Sequence, residues 1–214
     1  MTFDSLTVDL QRYLERGTLS DTEVADQIPR LINLAERAIA QKLKIQGFLN
    51  VVISNLVAGT SVYAKPDRWR QTVSMNIGTG TSQNYRQPLL SRSYEYCRNY
   101  WPDSDVLDPA QPPIFYADYD YTHWLVVPTP PVNYPWEINY YQLPALLDES
   151  NQQNWLTDFA PNLLLYRALL EMTPFLKNDE RIQTWQAMYQ EQLDSIDVQD
   201  LQKVVDRDSV RSKA

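Results

Sequence analysis

Val126 to Leu193 reads VVPTPPVNYPWEINYYQLPALLDESNQQNWLTDFAPNLLLYRALLEMTPFLKNDERIQTWQAMYQEQL. A strand edge broken by prolines leads into an aromatic strand and a polar turn. An almost wholly apolar helix follows, then a long acidic amphipathic one. From Pro161, Leu163, Leu164, Leu165, Ala168, Leu169, Leu170 and Met172 are apolar nearly all round, so this helix is expected to be central. Pro174 ends or kinks it. Asn178 is then read as the cap of a last helix with Ile182, Trp185, Tyr189, Leu193 and Ile196 along one face.

Upstream, a short helix is expected over Thr2–Arg16, with Leu6, Leu10 and Tyr13 or Leu14 on one face. Gly17 is read as its stop and Ser20 with Glu23 as a capping box. Pro29 opens a longer helix to Lys44, with Ile28, Leu31, Ile32, Ala35, Ile39 and Leu43 as its apolar stripe. Between Phe48 and Leu143 the period changes from helical to alternating. Val73, Met75 and Ile77 alternate with Thr72, Ser74 and Asn76, which reads as a half-buried strand. Leu49, Val51 and Ile53 do the same. Ile114–Tyr119, Trp124–Val127 and Trp136–Tyr141 are further short strands, and one helix is expected over Ser93–Tyr100. Pro66, Pro88, Pro112, Pro113, Pro128, Pro130, Pro131, Pro135 and Pro144 are taken to mark strand ends and edges.

The expected fold is α+β: a helical bundle formed by N- and C-terminal helices, with an inserted antiparallel β-sheet domain, sandwich- or barrel-like. Its parts are residues 1–47 (N-terminal helices), 48–147 (β-rich insertion), 148–200 (C-terminal helices) and 201–214 (a flexible tail). The polar loop Gly78–Tyr85, which includes Thr79, Gly80 and Thr81, is expected to be a projecting hairpin tip.

Composition limits the function. The net charge is -8, which argues against gripping nucleic acid by its phosphates. No apolar run reaches the roughly 18 residues of a membrane span, so no membrane role is expected. The polar N-terminus and the lone Cys97 suit a cytosol. His123 is the only histidine and reads as a strand-edge residue, so no catalytic residue is assigned. No paired histidine, CxxC or phosphate loop is present, and no metal or cofactor is expected. Asp103, Asp105 and Asp108 are spaced loosely like a calcium loop but lack its glycine and distal glutamate, leaving adventitious cation binding open.

Aromatic residues crowd Tyr116–Tyr141: Tyr116, Tyr119, Tyr121, Trp124, Tyr134, Trp136, Tyr140 and Tyr141. Such sheets can stack bases. No lysine or arginine lies between Asn99 and Tyr166, which favours core plus protein interface instead.

The ordered set IPRLINLAERAIAQKL, SVYAKPDRW, SRSYEYCRNYWP, LVVPTPPVNYPWEINYYQLPALL and NWLTDFAPNLLLYRALLEMTPFLKNDERIQTWQAMYQEQL resembles the head–tail adaptor (connector) proteins of tailed bacteriophages. The resemblance runs from Leu10 to Ile196. It implies a non-enzymatic virion protein of the neck, assembled in the host cytoplasm. It implies a homo-oligomeric ring, usually of twelve subunits, joining the portal to a tail-side protein (terminator, nozzle or tail tube). DNA would pass through without sequence-specific binding. On this resemblance Glu180, Glu191, Asp194 and Asp197 are expected to line the channel, where acidity repels phosphate. Leu201, Lys203, Val204, Val205, Arg207 and Arg211 are expected to dock on the portal. The Gly78–Tyr85 tip is expected to touch a neighbouring subunit or the tail. The alternative reading is a cytosolic peptide- or carbohydrate-binding module that uses the aromatic sheet.

Overall fold

The computed structural model describes residues 1–15, 21–78, 86–175 and 180–211, with the backbone alone at 46, 175 and 197–211. The chain forms two compact units. One contains residues 1–48 and 143–214, the other 49–142. The first is helical: α1 (Phe3–Leu14), α2 (Thr22–Ala25), α3 (Ile28–Lys42), α5 (Trp155–Phe159), α6 (Pro161–Glu171) and α7 (Arg181–Arg211). The second carries β1 (Leu49–Leu56), β2 (Val62–Ala64), β3 (Trp69–Gly78), β4 (Arg86–Ser91), α4 (Tyr94–Tyr100), β5 (Phe115–Asp118), β6 (His123–Val127) and β7 (Tyr134–Gln142). The α+β architecture read from the sequence is the one observed.

In the helical unit, α6 touches α1, α3, α5 and α7, as its all-round apolarity requires. Leu163, Leu164, Leu165, Ala168 and Leu169 are buried. The expected stripe of α3 is buried throughout, and on α1 it is Leu14, not Tyr13, that turns inward. Trp185, Tyr189 and Leu193 form the buried face of α7 at helical spacing. The helix α1 ends at Leu14 with Glu15 in a left-handed cap. Gly17, Ser20 and Asn178, read as a helix stop and caps, lie outside the described residues, and Asp21 is the N-cap of α2.

Two chain segments far apart in sequence close this unit through one buried carboxylate. Glu36 on α3 is fully buried. It accepts hydrogen bonds from Leu147 N–H (3.3 Å) and from the Asn154 side-chain amide. Asn154 also caps α5, its Oδ1 accepting from the N–H of Leu156 (3.0 Å) and of Thr157 (3.3 Å). The Met1 ammonium donates to Thr157 O (3.1 Å) and Phe3 N–H to Gln152 O (2.9 Å), so the N-terminus is stitched to the same loop. Nearby, Gly47 lies flat on the Trp155 indole. A Cβ there would come within 2.1 Å of the ring, so no side chain fits.

The β unit is a curled, mixed seven-stranded sheet in the order β1-β7-β3-β4-β5-β6-β2. All pairings are antiparallel except β4–β5, which α4 bridges as a parallel crossover. The inner face gathers Leu56, Met75, Ile77, Leu89, Tyr116, Trp124, Val126, Trp136, Ile138 and Tyr140 into one core. Edge strand β2 curls back toward the far side. Tyr63 meets the Trp136 ring at 5.1 Å, accepts from Val57 N–H (3.0 Å) and donates to Thr60 O (2.7 Å). Two indoles share one acceptor, since Trp69 Nε1 (3.2 Å) and Trp124 Nε1 (3.1 Å) both donate to Thr72 Oγ1. The strand β6 is buried on both faces. Trp124 and Val126 enter the inner core, while Leu125 and Val127 lie under α4 with Cys97 and Ala117.

Alternation misplaces three residues. Val73 is half exposed because register shifts on either side of Gln71 and Thr72 reset the phase of β3 against β7. Val51 and Ile53 face outward on edge strand β1, with Ile53 75% exposed. Pro88 lies inside β4. Leu90 N–H, two residues on, donates to Ile114 O toward β5, so the ring nitrogen of Pro88 faces the same side, below the point where β5 begins. Neither β2 nor β4 has bounds that alternation in the sequence marks, although the expected hairpin tip at Gly78–Tyr85 implies a return strand such as β4.

Burial is the main reason the carboxyl pKa of Glu36 is raised to about 7, against the opposing pull of Asn154, Leu147 and Arg37. The folded state therefore holds this proton more tightly than the unfolded chain does. Its stabilising contribution is complete below pH 4.5 and is lost as pH rises through 7, a change of about 3 kcal/mol. Denaturant midpoints should fall across that window, and Glu36→Gln should flatten the slope. An equal slope in the variant would assign the effect elsewhere. Gly47→Ala should lower unfolding free energy by about 1–3 kcal/mol in urea melts, as overpacking does.

Candidate interaction surfaces

The acidic face of α7 lies opposite its buried stripe. Glu191 and Asp194 are exposed, and Gln190 Nε2 donates to Asp194 Oδ1 at 2.6 Å. Glu180, just before the helix, is exposed as well. The Asp197 side chain lies outside the described residues. The helical backbone continues unbroken through 201–211, where the sequence reading placed a flexible tail. It thus covers positions 201, 203, 204, 205, 207 and 211, whose side chains are not described.

β3 and β4 form the expected hairpin, pairing Gly78 with Arg86. Its tip, including Thr79, Gly80, Thr81 and Tyr85, lies outside the described residues. At its base a groove of about 350 Å³ is lined by Ile53, Asn76, Gly78, Arg86, Pro135 and Glu137, among others. An ion pair between Arg86 and Glu137 spans it.

Elsewhere the titratable groups serve local structure. The Asp120 carboxylate accepts from Thr122 N–H (2.6 Å), Thr122 Oγ1 (2.9 Å) and His123 N–H (2.7 Å), and His123 Nδ1 lies 3.1 Å away. Desolvation pushes its pKa up, but these bonds together outweigh it and hold the pKa down to about 2. Asp103 accepts from Asp105 N–H and Asp108 from Ala110 N–H, both at 2.9 Å, as turn residues do. Among the described residues, no three His, Cys, Asp or Glu side chains gather as a metal site. No helix of the described residues is long and apolar enough to cross a membrane.

The aromatic residues divide between core and surface. Tyr116, Trp124, Trp136 and Tyr140 are buried, while Tyr119 and Tyr121 are exposed. A second set, unassigned from sequence, lies on α4: Tyr94, Tyr96 and Tyr100 are each about two-fifths exposed. The stretch 94–100 is too short for periodicity to separate its faces.

The chain thus joins a helical unit, built from both of its ends, to an inserted curled sheet unit. The family model for SU10 adaptor protein covers residues 1–212. The chain belongs to that family of phage head–tail adaptors. A search of curated proteins returned no match. Family membership makes this adaptor a component of the virion at the head-to-tail junction.

Cys97, on the inward face of α4, is fully buried, and burial pushes its thiol pKa up. The native adaptor should therefore resist maleimide or disulfide reagents and react with one equivalent only on unfolding. Fast labelling of the native protein would show that α4 lifts from the sheet.

Proposed function

We propose that the chain is one subunit of a ring, of about twelve copies as is usual in such adaptors, that joins the portal to a tail-side protein. The match over residues 1–212 carries this reading. The sheet unit and the helical unit then offer separate surfaces for neighbours above, below and beside each subunit. DNA passes through the ring without sequence readout. The net charge of -8 suits that passage, because an acidic wall repels phosphate and leaves DNA free to slide. The exposed carboxylates Glu180, Glu191 and Asp194, with Asp197 by sequence, are our candidates for part of that wall.

The end of α7 is our candidate for the portal contact. A continuous helical backbone puts positions 203, 207 and 211 in one row at four-residue spacing, and positions 201, 204 and 205 on another arc. By sequence the first row is Lys203, Arg207 and Arg211, and the second Leu201, Val204 and Val205. A segment divided in this way suits a groove with an apolar floor and an acidic rim. The Gly78–Tyr85 tip is assigned to the neighbouring subunit or the tail-side protein. Assembly takes place in the host cytoplasm.

Truncation after Asp200 leaves Trp185, Tyr189 and Leu193 in place. The shortened chain should keep its unfolding midpoint and lose co-elution with the cognate portal ring. Undiminished co-elution would remove the portal role from 201–214. If even the full-length chain fails to join the portal as a multi-copy assembly, the ring reading itself fails.

A further inference from the structure

Two arginines, Arg98 on α4 and Arg92 just before its N-cap, are held on aromatic rings. The Arg92 guanidinium lies 5.7 Å from the Tyr96 ring centre and 5.6 Å from that of Phe115. Tyr96 and Tyr100 stack with ring planes 4° apart, and both meet Phe115 edge-on at 5.3 and 5.1 Å. On the other flank Arg98 lies over Tyr94 (5.5 Å) and Tyr119 (5.9 Å), and donates to Tyr94 Oη (3.3 Å) and Ser104 Oγ (3.1 Å). No carboxylate among the described residues pairs with either arginine, although Glu95 is on the same helix.

Three features point to a docking surface. Tyrosine and arginine are the residues that dominate interface energetics. Their side chains are already ordered against one another, so little rotamer freedom remains to be lost on association. The charge of the patch is also unmatched within its own unit. The remainder of the chain, by contrast, is acidic. Residues 49–142 hold eight acids and six bases, leaving nineteen acids against thirteen bases for residues 1–48 and 143–214.

We infer that the α4 patch is a lateral subunit contact, which takes the acidic helical unit of a second copy of this chain. The inference rests on the ring reading and names the surface by which that ring closes. One patch meeting a different patch on the next copy is a heterologous contact, the kind that generates rings. Arg92 and Arg98 supply the charge, and the tyrosines supply rigid area and hydroxyl donors.

The test is native mass spectrometry of the cognate portal ring titrated with limiting full-length chain. Lateral contact makes filling cooperative, so wild-type chain should give empty and fully occupied portals together. Arg92→Ala/Arg98→Ala, checked for an unchanged unfolding midpoint, should still bind portals but distribute over intermediate occupancies. Its lateral association should weaken about tenfold or more. Arg92→Lys/Arg98→Lys should recover part of the cooperativity, and raised salt should erode it for wild type. Random filling by wild type, or all-or-none filling by the alanine variant, overturns the contact and leaves portal binding intact. A wild-type chain that ignores the portal overturns the ring reading and this contact together.

Discussion

The helical unit depends on closing a gap of more than a hundred residues, and Glu36 is where that closure is made polar and specific. Its partners lie 111 and 118 residues downstream. Apolar contacts among α1, α3 and α6 supply most of the cohesion, since such packing scales with area. They are tolerant of sliding, however, and a buried carboxylate is not. Placed one turn out of register, Glu36 would lose the Leu147 N–H and the Asn154 amide and remain desolvated, which costs several kcal/mol. Because Asn154 also caps α5, the same bond that fixes α3 fixes where α5 begins.

The insertion can leave this closure undisturbed because its first and last strands are neighbours. Leu49 pairs with Tyr141, and Asn50 Nδ2 donates to Gln142 Oε1 at 2.9 Å. The chain therefore leaves and re-enters the helical unit at nearly one point, even though β1 is the first strand and β7 the last. This is also why β7 lies inside the sheet, between β1 and β3.

Much of this was legible in the sequence where one physical rule acts alone. Period 3.6 located the stripes of α3 and α7, and all-round apolarity placed α6 at the centre. Alternation failed at Val73, Val51 and Ile53 because a register shift or an edge position changes which face is inside, and neither leaves a mark at the residue itself. Strand β4, with the sequence RQPLLS, is too polar and carries a proline, so only pairing to β3 makes it a strand. The surfaces were less legible than the core. Tyr94, Tyr96 and Tyr100 read equally well as core or interface, and only Cys97 turning inward settled which side of α4 faces out. Family resemblance came from the order of many weak motifs, which a structural protein preserves without any single catalytic signature.

The proposed ring of acidic subunits would face two opposing electrostatic demands. Repulsion of phosphate would favour negative charge along its bore, but the same charge, -8 for each chain, would drive neighbouring subunits apart. Screening separates the two by distance. At physiological ionic strength the Debye length is about 8 Å, so charge spread over a subunit acts weakly across the width of another while groups in direct contact act strongly. A few cations at lateral contacts can therefore hold acidic subunits together without making the bore adhesive. They must not be neutralised by their own chain's carboxylates, and they must be kept from wandering. Aromatic rings suit both conditions for Arg92 and Arg98: they hold each guanidinium without carrying a charge to neutralise it, and a guanidinium has donors enough to take a carboxylate from outside as well.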